Sequence, residues 1–181
     1  MYPENLLINL PTVITFSRIL LIPIFVSVAY TKPLIGAFIF AVASLTDVLD
    51  GYIARRAKQV TKLGVLLDPV ADKLLVISAL IVFVDMEVIP AWIAIVIIAR
   101  EFLVTGLRIV ALSKDIVIPA ESGGKIKMAA QISSVLIILI DKAYIINIDL
   151  YSTGITLLWF AMLIGVISGF QYFIMFWRRL L

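Results

Sequence analysis

The chain has 181 residues, 63% of them hydrophobic and 15% charged, with a formal net charge of +3. Soluble domains run near 45–50% apolar and about 25% charged, so this is a membrane composition with room for one domain, taken as 1–181. Cysteine and histidine are absent, which excludes disulfides, thiolate nucleophiles, imidazole bases and nitrogen- or sulfur-ligated zinc.

In chain order, residues 1–10 (MYPENLLINL) read as a juxtamembrane segment, a short interfacial helix lying on the membrane surface. Six apolar runs follow, at roughly 12–31, 34–54, 66–84, 88–110, 127–146 and 152–176. Each is close to the ~20 residues that a membrane-crossing helix needs. The first run has no basic segment before it and no small-residue cleavage site, which predicts a retained helix and not a signal peptide. Pro23 predicts a kink within it. The expected fold class is therefore an all-α integral membrane protein with six transmembrane helices.

Charge orients the spans. Arg55, Arg56, Lys58 and Lys62 lie between the second and third runs, Lys114, Lys125 and Lys127 between the fourth and fifth, and Arg178 and Arg179 in the tail. The opposite side carries Lys32 and Lys142 beside Asp85, Glu87, Asp141 and Asp149. Cytoplasmic loops collect the excess of Lys and Arg, so both termini are expected in the cytoplasm. Trp92 and Trp177, at the ends of the fourth and sixth spans, suit the interfacial aromatic belt. Gly165 and Gly169 form a small-xxx-small pattern that serves a dimer interface or packing within the bundle equally well.

One stretch breaks the apolar pattern. TDVLDGYIARRAKQVTKLGVLLDPVADKL, residues 46–74, gathers Asp47, Asp50, Asp68 and Asp72. On helices, the i,i+3 and i,i+4 spacings put each pair on one face. Asp47 lies eight residues before Arg55, about 12 Å along a helix axis, and Asp72 ten after Lys62, about 15 Å. The carboxylates thus fall near the cytoplasmic headgroup boundary. Four facing carboxylates do not all stay ionised without cations. With no sulfur or imidazole available, the cations must be hard, oxygen-ligated ions such as Mg2+ or Mn2+. Two such ions also create a site for a diphosphate. Asp68-Pro69 either starts a helix, with Asp68 as N-cap, or kinks a longer one.

These residues carry a resemblance. Asp47-x2-Asp50-Gly51-x2-Ala54-Arg55-x8-Gly64-x3-Asp68-x3-Asp72 resembles the signature of the CDP-alcohol phosphotransferases at all eight specified positions. The resemblance implies a six-helix membrane enzyme, a homodimer, that transfers a substituted phosphate from a CDP-linked donor to an alcohol and releases CMP. It implies Asp47, Asp50, Asp68 and Asp72 as ligands of two divalent ions (Mg2+ or Mn2+). Asp72 would also be the base that takes the alcohol's proton, and Gly51, Ala54, Arg55 and Gly64 would line the CDP pocket. Intramembrane Asp–Arg pairs that merely hold helices together are the bland alternative; ionisable groups in spans are usually functional.

NLPTVITFSRILLIPIF (9–25), IIAREFLVTGLRIV (97–110) and GGKIKMAAQ (123–131) are similar to the family's bacterial phosphatidylglycerophosphate synthases. That implies CDP-diacylglycerol as donor and sn-glycerol 3-phosphate as acceptor, at the bacterial cytoplasmic (inner) membrane. Pro11-Thr12 departs from the Pro-Asn of many relatives. A phosphorylated acceptor also suits Arg100 and Arg108, two turns apart on the fourth span, with Lys125 and Lys127 opening the fifth. Against this stand a local Arg100–Glu101 pair and an ordinary positive flank for the two lysines. Arg18, inside the first span, is assigned no role. Other acceptors handled by the family (phosphatidylglycerol, inositol phosphate, serine) are the nearest alternatives. An ion-coupled transporter is the alternative from another class, and neither an internal repeat nor a midplane carboxylate cluster favours it.

Overall fold

The fold is that of a computed structural model that describes the backbone of residues 10–57, 62–114, 122–143 and 149–180, and the side chains of 17–46, 73–111, 114, 123–143 and 149–178. The expected interfacial helix at 1–10 lies almost wholly outside the described residues. The described residues form six helices and no strand: α1 (Leu10–Thr31), α2 (Pro33–Ala57), α3 (Lys62–Asp85), α4 (Ala91–Ser113), α5 (Ser122–Lys142) and α6 (Leu150–Leu180). Each apolar run of the sequence overlaps one of them. Contacts divide the chain into two compact units, Met1–Val82 and Phe83–Leu181.

In the first unit α1 pairs with α2. Pro33 sets the tight turn between them. Before a proline the α conformation is disfavoured, so α1 stops at Thr31, and Pro33 occupies the first helical position, where its missing N–H costs nothing. Ile35 and Gly36 donate their N–H groups to the Lys32 carbonyl at 3.0 and 3.1 Å. Phe25, Ala29, Ala37, Phe40 and Ala43 are buried, and the rings of Phe25 and Phe40 meet at 5.6 Å. Pro23 lies within α1. On α3, Leu75, Ala79 and Val82 form a buried stripe at helical spacing, and Ile81 is exposed.

In the second unit α6 contacts both α4 and α5. Val135, Ile138 and Leu139 of α5 and Leu158, Ala161 and Met162 of α6 are buried. Close approach is possible because residue 154 is glycine: a Cβ there would stand 2.6 Å from Ile138 Cγ1. The Ser134 hydroxyl donates to the Gly154 carbonyl at 2.7 Å in the same place. Trp92 and Trp159 meet edge to face at 5.2 Å.

Two caps fix the helix ends of this unit. Asp149 caps α6: its carboxylate accepts the Ser152 N–H at 3.1 Å and the Ser152 hydroxyl at 2.7 Å. The Ser152 hydroxyl, then its N–H, hold the Asp149 carboxyl below its ordinary value. The charged cap is thus complete above the usual carboxylate range and is lost only as pH falls through the lowered value. At the other end of the unit, α3 closes in a Schellman motif. Val88 N–H reaches the Phe83 carbonyl at 2.8 Å and Glu87 N–H the Val84 carbonyl at 3.0 Å. Glu87 takes the left-handed position with φ of 56°, where glycine carries no Cβ penalty. The Tyr151 hydroxyl donates to the Val88 carbonyl at 2.9 Å and ties α6 to this turn.

Glu87→Gly should therefore stabilise the protein by roughly 0.5–1 kcal/mol. In detergent its apparent melting temperature should rise by about 2–4 °C; a fall would contradict the cap assignment.

Candidate active site

The acidic residues sit on consecutive helices. Asp47 and Asp50 lie on α2, Asp68 and Asp72 on α3. The backbone is helical at all four, so each pair shares a helical face. Gly51, Ala54 and Arg55 lie in the last two turns of α2 and Gly64 in the first turn of α3. The side chains of these eight residues lie outside the described ones. Because α3 begins at Lys62, Asp68 and Pro69 are inside the helix, and of the two readings of this dipeptide the N-cap falls away. Among the described residues no group of three or more acidic side chains gathers to hold a metal. The chemistry of the donor set fits a hard divalent ion: four carboxylates, in a chain with no histidine or cysteine to recruit a softer metal.

The cationic residues are described in full, and the structure separates them into two kinds. Arg100 is spent within the protein. Its Nε donates to the Gly165 carbonyl at 2.7 Å, one terminal nitrogen to the Ser168 hydroxyl at 2.6 Å, and the other to Glu101 Oε1 at 3.2 Å. Lys127, buried at 7% exposure, makes an ion pair with the same Glu101 oxygen. Glu101 thus joins cations from α4 and α5, and Arg100 carries the connection to α6. Among the described residues, this largely buried cluster holds two cations and one carboxylate.

Arg108 and Lys125 behave differently, since both are exposed. Arg108 donates to the Tyr172 hydroxyl at 3.1 Å, and its guanidinium carbon stands 5.7 Å from the centre of that ring. The four cations are therefore not gathered into one cluster: Arg100 and Lys127 meet at Glu101, Arg108 rests on α6, and Lys125 points outward.

The Gly165/Gly169 pattern acquires a specific use here. A Cβ at Gly169 would lie 3.3 Å from Arg100 Cγ, and one at Gly165 would lie 3.3 Å from Lys127 Cδ. The missing side chains make room for the stems of the two cations, a form of packing within the bundle. Beside them a small cavity of about 10 Å3 is lined by Arg100, Glu101, Lys127, Gln131, Ala161 and Met162, among others. That is about the room of a single water and far too little for a nucleotide or a sugar phosphate. Gln131, 4% exposed, turns its Nε2 into these surroundings with no hydrogen-bond partner among the described residues.

Comparison with known proteins places this arrangement. A family model described as CDP-alcohol phosphatidyltransferase matches residues 8–169. The chain belongs to that family. It is 42% identical to a CDP-diacylglycerol–glycerol-3-phosphate 3-phosphatidyltransferase of Bacillus subtilis (strain 168), over 95% of this chain and 97% of the relative. Proteins of the same name in Rickettsia bellii (strain RML369-C) and Yersinia enterocolitica are 38% and 37% identical, covering 91% and 96% of this chain and 93% and 98% of their own. The family match begins before α1 and ends within α6, so it includes the acidic signature and all four cations.

Sequence reasoning named Glu101 only as a local partner of Arg100, a pair the structure shows, and it passed over Ser168 and Tyr172. Glu101 had a signal: a carboxylate well inside an apolar run must find a cation, and two cations lay within reach of helical geometry. Ser168 and Tyr172 had none, because a hydroxyl on the last helix reveals nothing of an arginine some 65 residues earlier.

Proposed function

We propose that the chain transfers the phosphatidyl group of CDP-diacylglycerol to sn-glycerol 3-phosphate, giving phosphatidylglycerophosphate and CMP. The observation that carries this reading is the complete eight-residue signature on α2 and α3 in a chain whose near full-length relatives bear the name of that activity.

In this reading Asp47, Asp50, Asp68 and Asp72 hold two Mg2+ or Mn2+ ions, which when bound neutralise the diphosphate and the charge building on the attacking and leaving oxygens. Asp72 takes the proton from the acceptor hydroxyl as its oxygen bonds to the lipid-bearing phosphorus, and the bond from that phosphorus to CMP breaks. A carboxylate in this role agrees with the lack of histidine. Gly51, Ala54, Arg55 and Gly64 line the CDP pocket. Arg100, Arg108, Lys125 and Lys127 hold the acceptor's phosphate. Of these, the exposed Arg108 and Lys125 meet it directly, and the part-buried Arg100 and the buried Lys127 contribute positive charge around Glu101.

The same reading places the chain in the bacterial cytoplasmic membrane as one domain of six spans, with both termini and the active site on the cytoplasmic side, working as a homodimer. Two helices have described stretches long and apolar enough to cross a membrane, Gly123–Lys142 and Leu150–Arg178, and shorter apolar stretches run from Ser17 to Thr31 and from Pro33 to Thr46. Large apolar side chains face outward, among them Leu20 and Phe38 at 69% exposure and Phe170 at 65%. Surfaces of this kind are stable in lipid and not in water.

Purified protein given CDP-diacylglycerol and labelled glycerol 3-phosphate should move the label into lipid and release one CMP for each product. EDTA should stop the reaction, and Mg2+ or Mn2+ should restart it. Product from inositol phosphate, serine or phosphatidylglycerol, with none from glycerol 3-phosphate, would overturn the choice of acceptor. Asp72→Asn should lower turnover by at least about 100-fold while leaving CDP-diacylglycerol binding largely intact; normal turnover in this variant would remove Asp72 as the base.

A further inference from the structure

One face of α6 treats the two arginines of α4 in opposite ways. Gly165, Ser168, Gly169 and Tyr172 are spaced i, i+3, i+4 and i+7, so they lie on a single helical face. Arg100 and Arg108 are eight residues apart on α4, a little over two turns, and meet successive levels of that face. The lower level takes in Arg100: two glycines make room for its stem and neighbour, and the Gly165 carbonyl and Ser168 hydroxyl accept its N–H groups. The upper level leaves Arg108 exposed and supports it with a ring and a hydroxyl.

We propose that Tyr172 is a positioning residue for the acceptor's phosphate, acting through Arg108; this rests on the acceptor reading given above. Tyr172 is 3% exposed, so its own orientation is fixed by packing. The hydroxyl takes one N–H of Arg108, and the guanidinium carbon stands over the ring, 5.7 Å from its centre. Among the described residues no other hydrogen bond of Arg108 is present, so Nε and the second terminal nitrogen keep their donors for a ligand. The nitrogen that Tyr172 holds has a second N–H, which together with a neighbouring free N–H on the same edge of the guanidinium forms the fork that matches two phosphate oxygens. A long exposed side chain otherwise loses rotamer freedom each time it binds, and holding it in place beforehand shifts that cost from binding to folding. The ligand recognised is a phosphomonoester, because a phosphate esterified once keeps three terminal oxygens and up to two negative charges, against two oxygens and one charge for a diester.

Steady-state kinetics of the full chain test this, with each substrate varied in turn. Tyr172→Phe keeps the ring and the buried volume and removes only the hydroxyl. It should raise KM for glycerol 3-phosphate roughly 3- to 10-fold, far more than it changes KM for CDP-diacylglycerol or lowers kcat. In an Arg108→Ala background the same substitution should add nothing, because its effect passes through the arginine. An unchanged KM for glycerol 3-phosphate in Tyr172→Phe, or equal rises for both substrates, overturns the proposal. If Arg108→Ala raises that KM and Tyr172→Phe does not, positioning by Tyr172 is wrong and the acceptor reading stands. If Arg108→Ala leaves it unchanged, the acceptor reading falls at Arg108 and the proposal with it. An unaltered melting temperature of Tyr172→Phe separates a positioning effect from a loss of fold.

Discussion

Glu101 is the group on which the second half of the chain depends. A carboxylate inside an apolar helix is costly unless it is paired, and two ammonium- or guanidinium-bearing side chains pair it here. Because the partners come from α4 and α5, and because Arg100 passes on to a carbonyl and a hydroxyl of α6, one buried charge registers three helices. Apolar packing alone sets helix register loosely. The polar cluster admits one rotation of each helix, and Gly154, Gly165 and Gly169 let the backbones come near enough for its short bonds.

The consequence for function is a division of labour among like residues. The four cations Arg100, Arg108, Lys125 and Lys127 look equivalent as charges, but of these only Arg108 and Lys125 are exposed. Arg100 gives three of its donors to the protein, and Lys127 is buried against Glu101. An enzyme that must bind a small dianionic acceptor from water, beside a lipid-borne donor, gains from this arrangement. Under the proposed function, fixed charge would draw the acceptor in and a few pre-oriented donors would grip it. On α2 and α3 the four aspartates carry the opposite charge, spaced by about one helical turn within each pair.

Much of the fold was readable before any coordinates. Long apolar runs translate directly into helices, and all six runs overlap one. Their ends were less exact, since caps and turns decide them: the left-handed Glu87, the Asp149 cap and Pro33 are local effects that a hydropathy pattern averages away. The Asp68-Pro69 dipeptide, which suits a helix start, lies a turn and a half inside α3, because apolar continuity from Lys62 onward outweighs a capping preference. The acidic signature stood out because charge at fixed spacing in an apolar chain is expensive. What stayed hidden was the use of each cation. Whether an arginine serves a ligand or the protein depends on residues far along the chain, such as Ser168 and Tyr172, whose types alone carry no such information.

A double-mutant cycle on Glu101 and Lys127 measures the buried pair most directly, read as apparent melting temperature in detergent. Glu101→Gln leaves Lys127 and Arg100 without their carboxylate and should be strongly destabilising, by up to about 3–5 kcal/mol, whereas Lys127→Met leaves Glu101 paired with Arg100 and should cost less. The double variant no longer holds an uncompensated lysine, so its loss should fall short of the sum of the two singles. Strictly additive losses, with the double variant as unstable as the two singles combined, would show that Glu101 does not hold the helices together through Lys127.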